Sequence, residues 1–243
     1  MKISTKVLAI ASFLLLSNLA FAQGRVGFGI VEDEEDYKTE NVFGFGIATN
    51  SGLLGSIFFR HSVAIQDKSL SHYGVEIANT RHNREYRQTS FNGSTFVIGK
   101  SNYLVSIRPY YGREKIFFRK APQQGVRISG LISAGPTLGL ESPYFVNLSN
   151  GNKEQYDPNI HSVNNINGNS GPFKGLLKSN IVPGAHLKAS LTFETTSTKS
   201  RVFGVQAGFN LEGFTRKIEI IPAADNKSVY SSAFFSVYFG KRR

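Results

Sequence analysis

Residues 201–213 read RVFGVQAGFNLEG and alternate apolar side chains with small or polar ones. One set of alternate positions is apolar: Phe203, Val205, Ala207, Phe209 and Leu211. The other set is small or polar: Gly204, Gln206, Gly208, Asn210 and Glu212. Successive side chains of a β-strand point to opposite faces, so this stretch predicts a strand with one apolar and one polar face.

The same alternation recurs along the rest of the chain. It is found near Val42 and in residues 53–66, 72–80, 103–112, 126–141, 185–194 and 232–239. Stretches of about ten residues separated by turn residues are typical of membrane-barrel strands. We therefore predict an all-β fold, a transmembrane antiparallel up-and-down β-barrel of eight strands. The number would be ten if 25–31 and 95–100 were further barrel strands.

Residues 1–22 have the features of a secretory signal peptide. Lys2 and Lys6 are basic, residues 7–16 are apolar, and Ala20-Phe21-Ala22 supplies a small-x-small cleavage pattern. An N-terminal membrane anchor is the alternative, although its apolar stretch would be shorter than the roughly 20 residues that a span needs. We expect cleavage before Gln23, export of the remainder, and an N-terminal extension or first hairpin over 23–41.

Composition narrows the classes of function. The 243 residues include no cysteine, which excludes a disulfide framework, thiolate metal sites and cysteine nucleophiles. The formal charge of +11 falls to +9 when Lys2 and Lys6 are removed with the leader. Export makes nucleic acid a poor candidate partner, so the basic balance favours anionic outer-membrane lipid, lipopolysaccharide included, or an acidic protein. We expect no cofactor and no metal.

The connections between the predicted strands differ in length. Residues 121–124 and 196–199 look like short turns, whereas 147–180 is a long stretch rich in Asn, Gly and Ser. Outer-membrane barrels place short turns on the periplasmic side and long loops outside the cell. The barrel is therefore predicted over 42–243, in the outer membrane, with a long external loop at 147–180.

A soluble fold is the main structural alternative. A periplasmic β-sandwich or a lipocalin-like barrel also alternates apolar and polar residues, but with the apolar side inward. Two features favour the membrane barrel: the polar faces carry many glycines and charges, and only 40% of the residues are hydrophobic.

The predicted inward face carries four cations and four carboxylates. They are Arg60, Glu76, Arg108, Arg127, Glu141, Lys188, Glu194 and Glu212. The interior of an eight-stranded barrel is just wide enough for side chains to fill it. Buried charges have to be paired, because an unpaired one costs several kcal/mol. The pattern therefore predicts a closed, salt-bridged lumen and argues against a general porin.

Residues 80–87 are polar on both faces and cannot lie in hydrocarbon. The three arginines of this stretch, Arg81, Arg84 and Arg87, together with His82, predict a rim patch for anionic headgroups or a partner protein. A solvated hairpin end is the simpler alternative.

The five histidines raise the question of catalysis. They are His61, His72, His82, His161 and His186. His61 and Ser62 are adjacent, so on a strand they point to opposite faces and cannot form a nucleophile–base pair with each other. The sequence contains neither a G-x-S-x-G elbow nor metal-type histidine spacing. We therefore predict structural histidines and a non-enzymatic protein.

The leader, the alternating strands and the aromatic-rich stretch 230–239, YSSAFFSVYF, resemble small outer-membrane β-barrel proteins of Gram-negative bacteria. Residues 100–109, KSNYLVSIRP, are similar to a strand opening of the PorT-like subgroup. The resemblance implies insertion by the barrel assembly machinery and a role as an accessory or binding subunit of an envelope complex, for secretion or outer-membrane assembly. A lipid-modifying barrel enzyme and a narrow solute pore are the alternatives.

Overall fold

A computed structural model describes residues 38–51, 55–66, 68–90, 92–119, 125–158, 160–161, 163–195 and 200–243. The predicted signal peptide, the possible strand at 25–31 and the predicted turns at 121–124 and 196–199 lie outside the described residues. In the part of the chain that is described, no helix has the length and apolar character needed to cross a bilayer.

The described residues form thirteen strands, numbered in chain order. They are β1 (Thr39–Ala48), β2 (Ser56–Gln66), β3 (Ser69–Thr80), β4 (Arg87–Thr89), β5 (Thr95–Val97), β6 (Asn102–Phe118), β7 (Arg127–Pro143), β8 (Phe145–Leu148), β9 (Lys153–Gln155), β10 (Ile166–Asn169), β11 (Asn180–Glu194), β12 (Arg201–Phe214) and β13 (Val229–Arg242). Short 3-10 helices span Val163–Asn165 and Pro172–Lys178.

Eight of these strands close into an antiparallel barrel, which confirms the predicted fold class. The order around the barrel is β1-β13-β12-β11-β7-β6-β3-β2, and β1 pairs with β2 on its other edge. β5 lies within the predicted strand 95–100, but it pairs with β4 in a separate two-stranded sheet. The closed barrel therefore has eight strands and not ten.

The first and last strands meet along a long seam. Val42 is opposite Gly240 and Phe45 is opposite Val237. The backbone N–H groups of Lys38 and Thr39 both donate to the carbonyl of Arg243, at 2.9 and 2.8 Å. β1 begins before the predicted start at Val42.

The connections divide between the two ends of the barrel. β1 starts, and β13 finishes, at the end that also holds the β2–β3, β6–β7 and β11–β12 connections; we call it the turn end. The opposite end, the loop end, holds the longer connections 81–101, 144–179 and 215–228. The predicted loop 147–180 corresponds to the second of these.

The outer face of the barrel is apolar. Side chains that point outward and are exposed include Phe43, Phe45, Ile47, Ile77, Leu138, Leu187, Phe209, Leu211 and Phe235. On β12 the outward apolar positions run from residue 203 to 211, roughly 27 Å along the strand. A tilt of about 40° reduces this to roughly 20 Å, close to the ~25 Å apolar band of outer-membrane barrels. A soluble lipocalin-like barrel would require the opposite arrangement.

Large and small side chains alternate around one layer of the interior, on the four neighbouring strands β2, β1, β13 and β12. In this layer Phe58 lies beside Gly44, Gly44 beside Tyr238, and Tyr238 beside Gly204. A side chain at Gly44 would collide with the Phe58 ring. Glycine is needed here because eight strands enclose too little space for four large side chains in one layer.

Candidate functional site

The eight predicted lumen residues are all buried, each no more than 9% exposed. All of them sit on barrel strands, at positions that point inward. They do not form one cluster, however. Four lie together in the half nearer the loop end, three lie in the half nearer the turn end, and Glu141 stands apart.

The loop-end cluster contains two carboxylates and two cations. Arg108 binds Glu212 with two hydrogen bonds, Nε to Oε1 at 2.7 Å and Nη2 to Oε2 at 2.6 Å. Glu76 receives Lys188 Nζ at 3.0 Å and lies 3.6 Å from Arg108 Nη1. Lys188 Nζ also lies 4.0 Å from the centre of the Phe234 ring. The cluster is neutral as a unit, which is the condition for burying four charges.

The turn-end cluster contains Arg60, Arg127 and Glu194, together with Glu40 and Arg242. Arg242 donates from Nε to Glu40 at 2.8 Å and also binds Glu194. Arg127 Nη1 lies 3.8 Å from Glu194 and Arg60 Nη2 lies 3.8 Å from Glu40. A ladder of ion pairs therefore crosses the seam between the first and last strands.

Glu40 and Arg242 are not among the lumen residues predicted from the sequence. Glu40 precedes the expected start of the first strand at Val42. Arg242 lies beyond the predicted last stretch of alternation, 232–239, but β13 continues through it and turns its side chain inward. The alternation offered the needed signal, since Arg242 has the same parity as the inward-facing Tyr238.

Glu141 closes the loop end of the barrel instead of joining the other lumen charges. Its carboxylate accepts from Arg216 Nη2 at 2.5 Å and from the backbone N–H of Glu219 at 2.9 Å. Both donors belong to the connection 215–228, so Glu141 holds that connection over the barrel mouth.

The connection 215–228 forms an apolar plug. Ile218 and Ile220 are fully buried and pack with Leu104, Val182, Phe214, Ile221 and Tyr230. A cavity of about 20 Å³ borders Glu76, Arg108 and Lys188 inside the barrel. That volume has room for roughly one water molecule. In the described residues the lumen is thus filled by ion pairs and capped by a plug.

Ser62, His72 and Glu114 form a chain of contacts that was not predicted from the sequence. Ser62 Oγ lies 2.6 Å from His72 Nδ1, and His72 Nε2 lies 2.7 Å from a Glu114 carboxylate oxygen. Ser62 and His72 are direct cross-strand partners, so their side chains share a face, unlike His61 and Ser62. The order of groups resembles that of a serine hydrolase triad. However, Ser62 and His72 are both 0% exposed, so a substrate cannot reach the hydroxyl.

Three other histidines also make local contacts. His186 Nδ1 lies 3.0 Å from Thr137 Oγ1 inside the barrel. On the outside, His61 Nδ1 lies 2.5 Å from Asn41 Oδ1, and His161 Nε2 lies 3.4 Å from Glu154 in the loop-end connection 144–179. Across the described ranges, no group of three His, Asp or Glu side chains is arranged to hold a metal ion.

The predicted rim patch lies at the loop end, in the connection 81–101. His82 Nε2 lies 3.2 Å from the carbonyl oxygen of Asp225, and its Nδ1 accepts from the backbone N–H of Arg84 at 3.1 Å. Arg84 and Arg87 are exposed and Arg81 is half-buried. Arg81 and Arg87 border one cavity, which Arg84 does not.

The connections 81–101 and 144–179 pack on each other; we call them the external platform, after the external loop predicted from the sequence. Its core consists of Phe96, Val97, Tyr144, Val146, Tyr156 and Ile166. The Tyr144 hydroxyl accepts from the backbone N–H of Val97 at 3.0 Å, and burial raises the pKa of Tyr144 to about 12. The platform therefore has a hydrophobic core and hydrogen bonds of its own.

Lys100 links the turn that carries the rim patch to Tyr103 on β6. Its Nζ donates to Glu85 at 2.6 Å and lies 4.4 Å from the centre of the Tyr103 ring. Burial lowers the pKa of Lys100, and the Glu85 carboxylate opposes that shift. Glu85 in turn accepts from the backbone N–H of His82, which orders the turn that carries the rim arginines.

These features define the class of protein. Every barrel strand is paired on both edges, the outer face is apolar, and the charges of the interior are paired. Only helices and closed barrels satisfy their backbone hydrogen bonds within a bilayer. The chain is an outer-membrane β-barrel protein of eight strands.

Comparisons with known proteins give a fold likeness. No family model matches the chain, so the PorT-like similarity of residues 100–109 stays a resemblance. No curated protein matches it either. Among solved structures it is similar to Neisserial surface protein A, with 10% identity, a TM-score of 0.40, and coverage of 84% of this chain and 96% of that chain. It is also similar to Ail, the attachment invasion locus protein of Yersinia pestis, solved with the heparin analogue sucrose octasulfate, with 10% identity, a TM-score of 0.38, and coverage of 85% and 99%.

Proposed function

We propose that the protein is a non-enzymatic accessory or binding subunit of an envelope protein complex, acting in secretion or outer-membrane assembly. It would bind its partner outside the barrel, through the external platform. The observation that carries this proposal is the platform itself, a folded surface built on a barrel whose lumen is filled.

The filled lumen supports binding over transport. A water-filled channel needs open space along the axis, whereas here ion pairs occupy the interior and Ile218 and Ile220 cap the loop end. Planar-bilayer recordings of the purified protein are expected to show no conductance. Regular single-channel steps would contradict the proposal and favour the narrow solute pore.

The external platform supports a protein partner because it has a packed core of its own and carries exposed apolar side chains. Leu177 is fully exposed and Ile160 is 77% exposed, both in the connection 144–179. A surface built on a packed core has fewer side chains left to order on binding, and exposed apolar side chains supply area to bury. Insertion into the membrane alone does not require exposed apolar side chains in the loop-end connections.

A pull-down from detergent-solubilised envelopes tests the proposal. The wild-type protein is expected to capture an envelope protein, and the double variant Ile160→Ser with Leu177→Ser is expected to capture much less of it. Phe118→Ser is the matched control, because Phe118 is also exposed but lies at the turn end of β6. A strictly monomeric wild-type protein without a co-purifying envelope partner would refute the proposal.

A further inference from the structure

A groove opens on the outer wall of the barrel beneath the external platform. Its volume is about 770 Å³, within the range of ligand sites. The barrel wall contributes outward-facing apolar side chains: Ile57, Ile77, Val105, Ile107 and Leu140. The external platform contributes Phe96, Val97 and Leu176. The groove is therefore apolar on two sides and starts where the lipid-facing surface ends.

The charged side chains of the groove are three cations and one carboxylate. They are Arg81, Arg87, Lys100 and Glu85. Since Lys100 is bound by Glu85, the two arginines carry a net charge of +2. Neither arginine forms a salt bridge with a carboxylate in the described ranges. Two guanidinium groups without a carboxylate partner suit the charge of a phosphate group, which accepts paired hydrogen bonds from arginine.

We propose that this groove binds a phosphorylated lipid of the outer leaflet. The acyl chains would lie against Ile57, Ile77 and Ile107, and the phosphate would bind Arg81 and Arg87. The inference rests on the barrel lying in the outer membrane and is independent of the protein partner proposed above.

Position and chemistry favour a lipid over the other possible occupants. A free phosphate would use the arginines but would leave the apolar walls without a role. A soluble acidic protein would have to approach past the membrane, because the floor of the groove continues into the lipid-facing wall through Ile57 and Ile77, which are 38% and 43% exposed. An amphiphile with an anionic headgroup matches both parts of the groove at once.

Binding of lipid A to the full-length protein in neutral detergent tests the proposal. Native mass spectrometry would measure the dissociation constants of lipid A and of lipid A stripped of its phosphates. We expect the double variant Arg81→Gln with Arg87→Gln to bind intact lipid A about tenfold or more weakly, because it loses two charge-assisted contacts. Arg84→Gln is the matched control, since Arg84 is exposed in the same connection but outside the groove, and it should bind as the wild type does.

Several outcomes would overturn the proposal. Equal binding of lipid A and its dephosphorylated form would remove the role of the arginines, and equal weakening by Arg84→Gln would show general charge attraction. Competition by inorganic phosphate at millimolar concentration would assign the arginines to a free anion. If the double variant kept its lipid but lost a dimer or a captured protein, the groove would be a protein interface. Loss of lipid binding alone leaves the Ile160 and Leu177 experiment unaffected, so the two proposals fail separately.

Discussion

Replacing Glu212 by glutamine tests whether charge balance stabilises the interior of the barrel. The loop-end cluster holds Glu76 and Glu212 against Arg108 and Lys188, so the substitution leaves a buried net charge of +1. Arg108 loses a charged partner at 2.6 Å and keeps only Glu76 at 3.6 Å, which Lys188 shares. Breaking a buried ion pair costs about 3–5 kcal/mol. The glutamine oxygen can still accept one hydrogen bond, so we expect about 3 kcal/mol, or roughly a 100-fold shift in the unfolding equilibrium.

The free energy of unfolding can be measured by urea titration in lipid vesicles. Far-UV circular dichroism is the suitable signal, because the chain has no tryptophan. Glu219→Gln is the matched control: Glu219 is an exposed carboxylate, and its substitution should change stability by less than about 0.5 kcal/mol. Adding Lys188→Met to Glu212→Gln makes the cluster neutral again and should recover at least about 1 kcal/mol. A Glu212→Gln variant as stable as the wild type, or a double variant less stable than Glu212→Gln, would refute the reasoning.

Two further predictions concern Tyr144 of the external platform and Ser62, the buried partner of His72. Tyr144→Phe removes the acceptor of the Val97 N–H and should destabilise the platform by about 1 kcal/mol, seen as faster hydrogen exchange in 81–101 with unchanged exchange in the barrel strands; unchanged exchange in 81–101 would contradict it. Ser62→Ala should leave the lipid A mass spectrum of cells identical to wild type, because Ser62 and His72 are enclosed; a new or missing acyl chain would revive the lipid-modifying enzyme.

The sequence predicted the barrel because one physical constraint repeats in every strand. Lipid outside and side chains inside force period-two alternation, so Phe209 and Asn210 could be assigned to opposite faces without knowledge of their neighbours. The alternation also gives the inward position of Arg108, Lys188 and Glu212. It cannot say which charges meet, since that depends on the register between strands.

The loop end was harder to predict because its structure depends on contacts between distant segments. Tyr144 packs with Tyr156 of its own connection and with Phe96 of the connection 81–101, and none of the three lies in a periodic pattern. The plug residues Ile218 and Ile220 are apolar positions outside any strand, with nothing local to show that they fold over the barrel mouth. Glu114 was missed for a related reason, because the predicted strand stopped at Gly112 while β6 continues to Phe118.

The seam between β1 and β13 has a consequence for how the protein is made. It joins positions about two hundred residues apart, such as Glu40 and Arg242, and contacts so distant in sequence form slowly. Until β13 has been translated and has reached the membrane, one edge of β1 has unpaired amide and carbonyl groups. Such an edge can pair with a strand of another chain, which leads to aggregation. A chaperone that shields this open sheet in transit would change the yield of protein while leaving the stability of the finished barrel untouched.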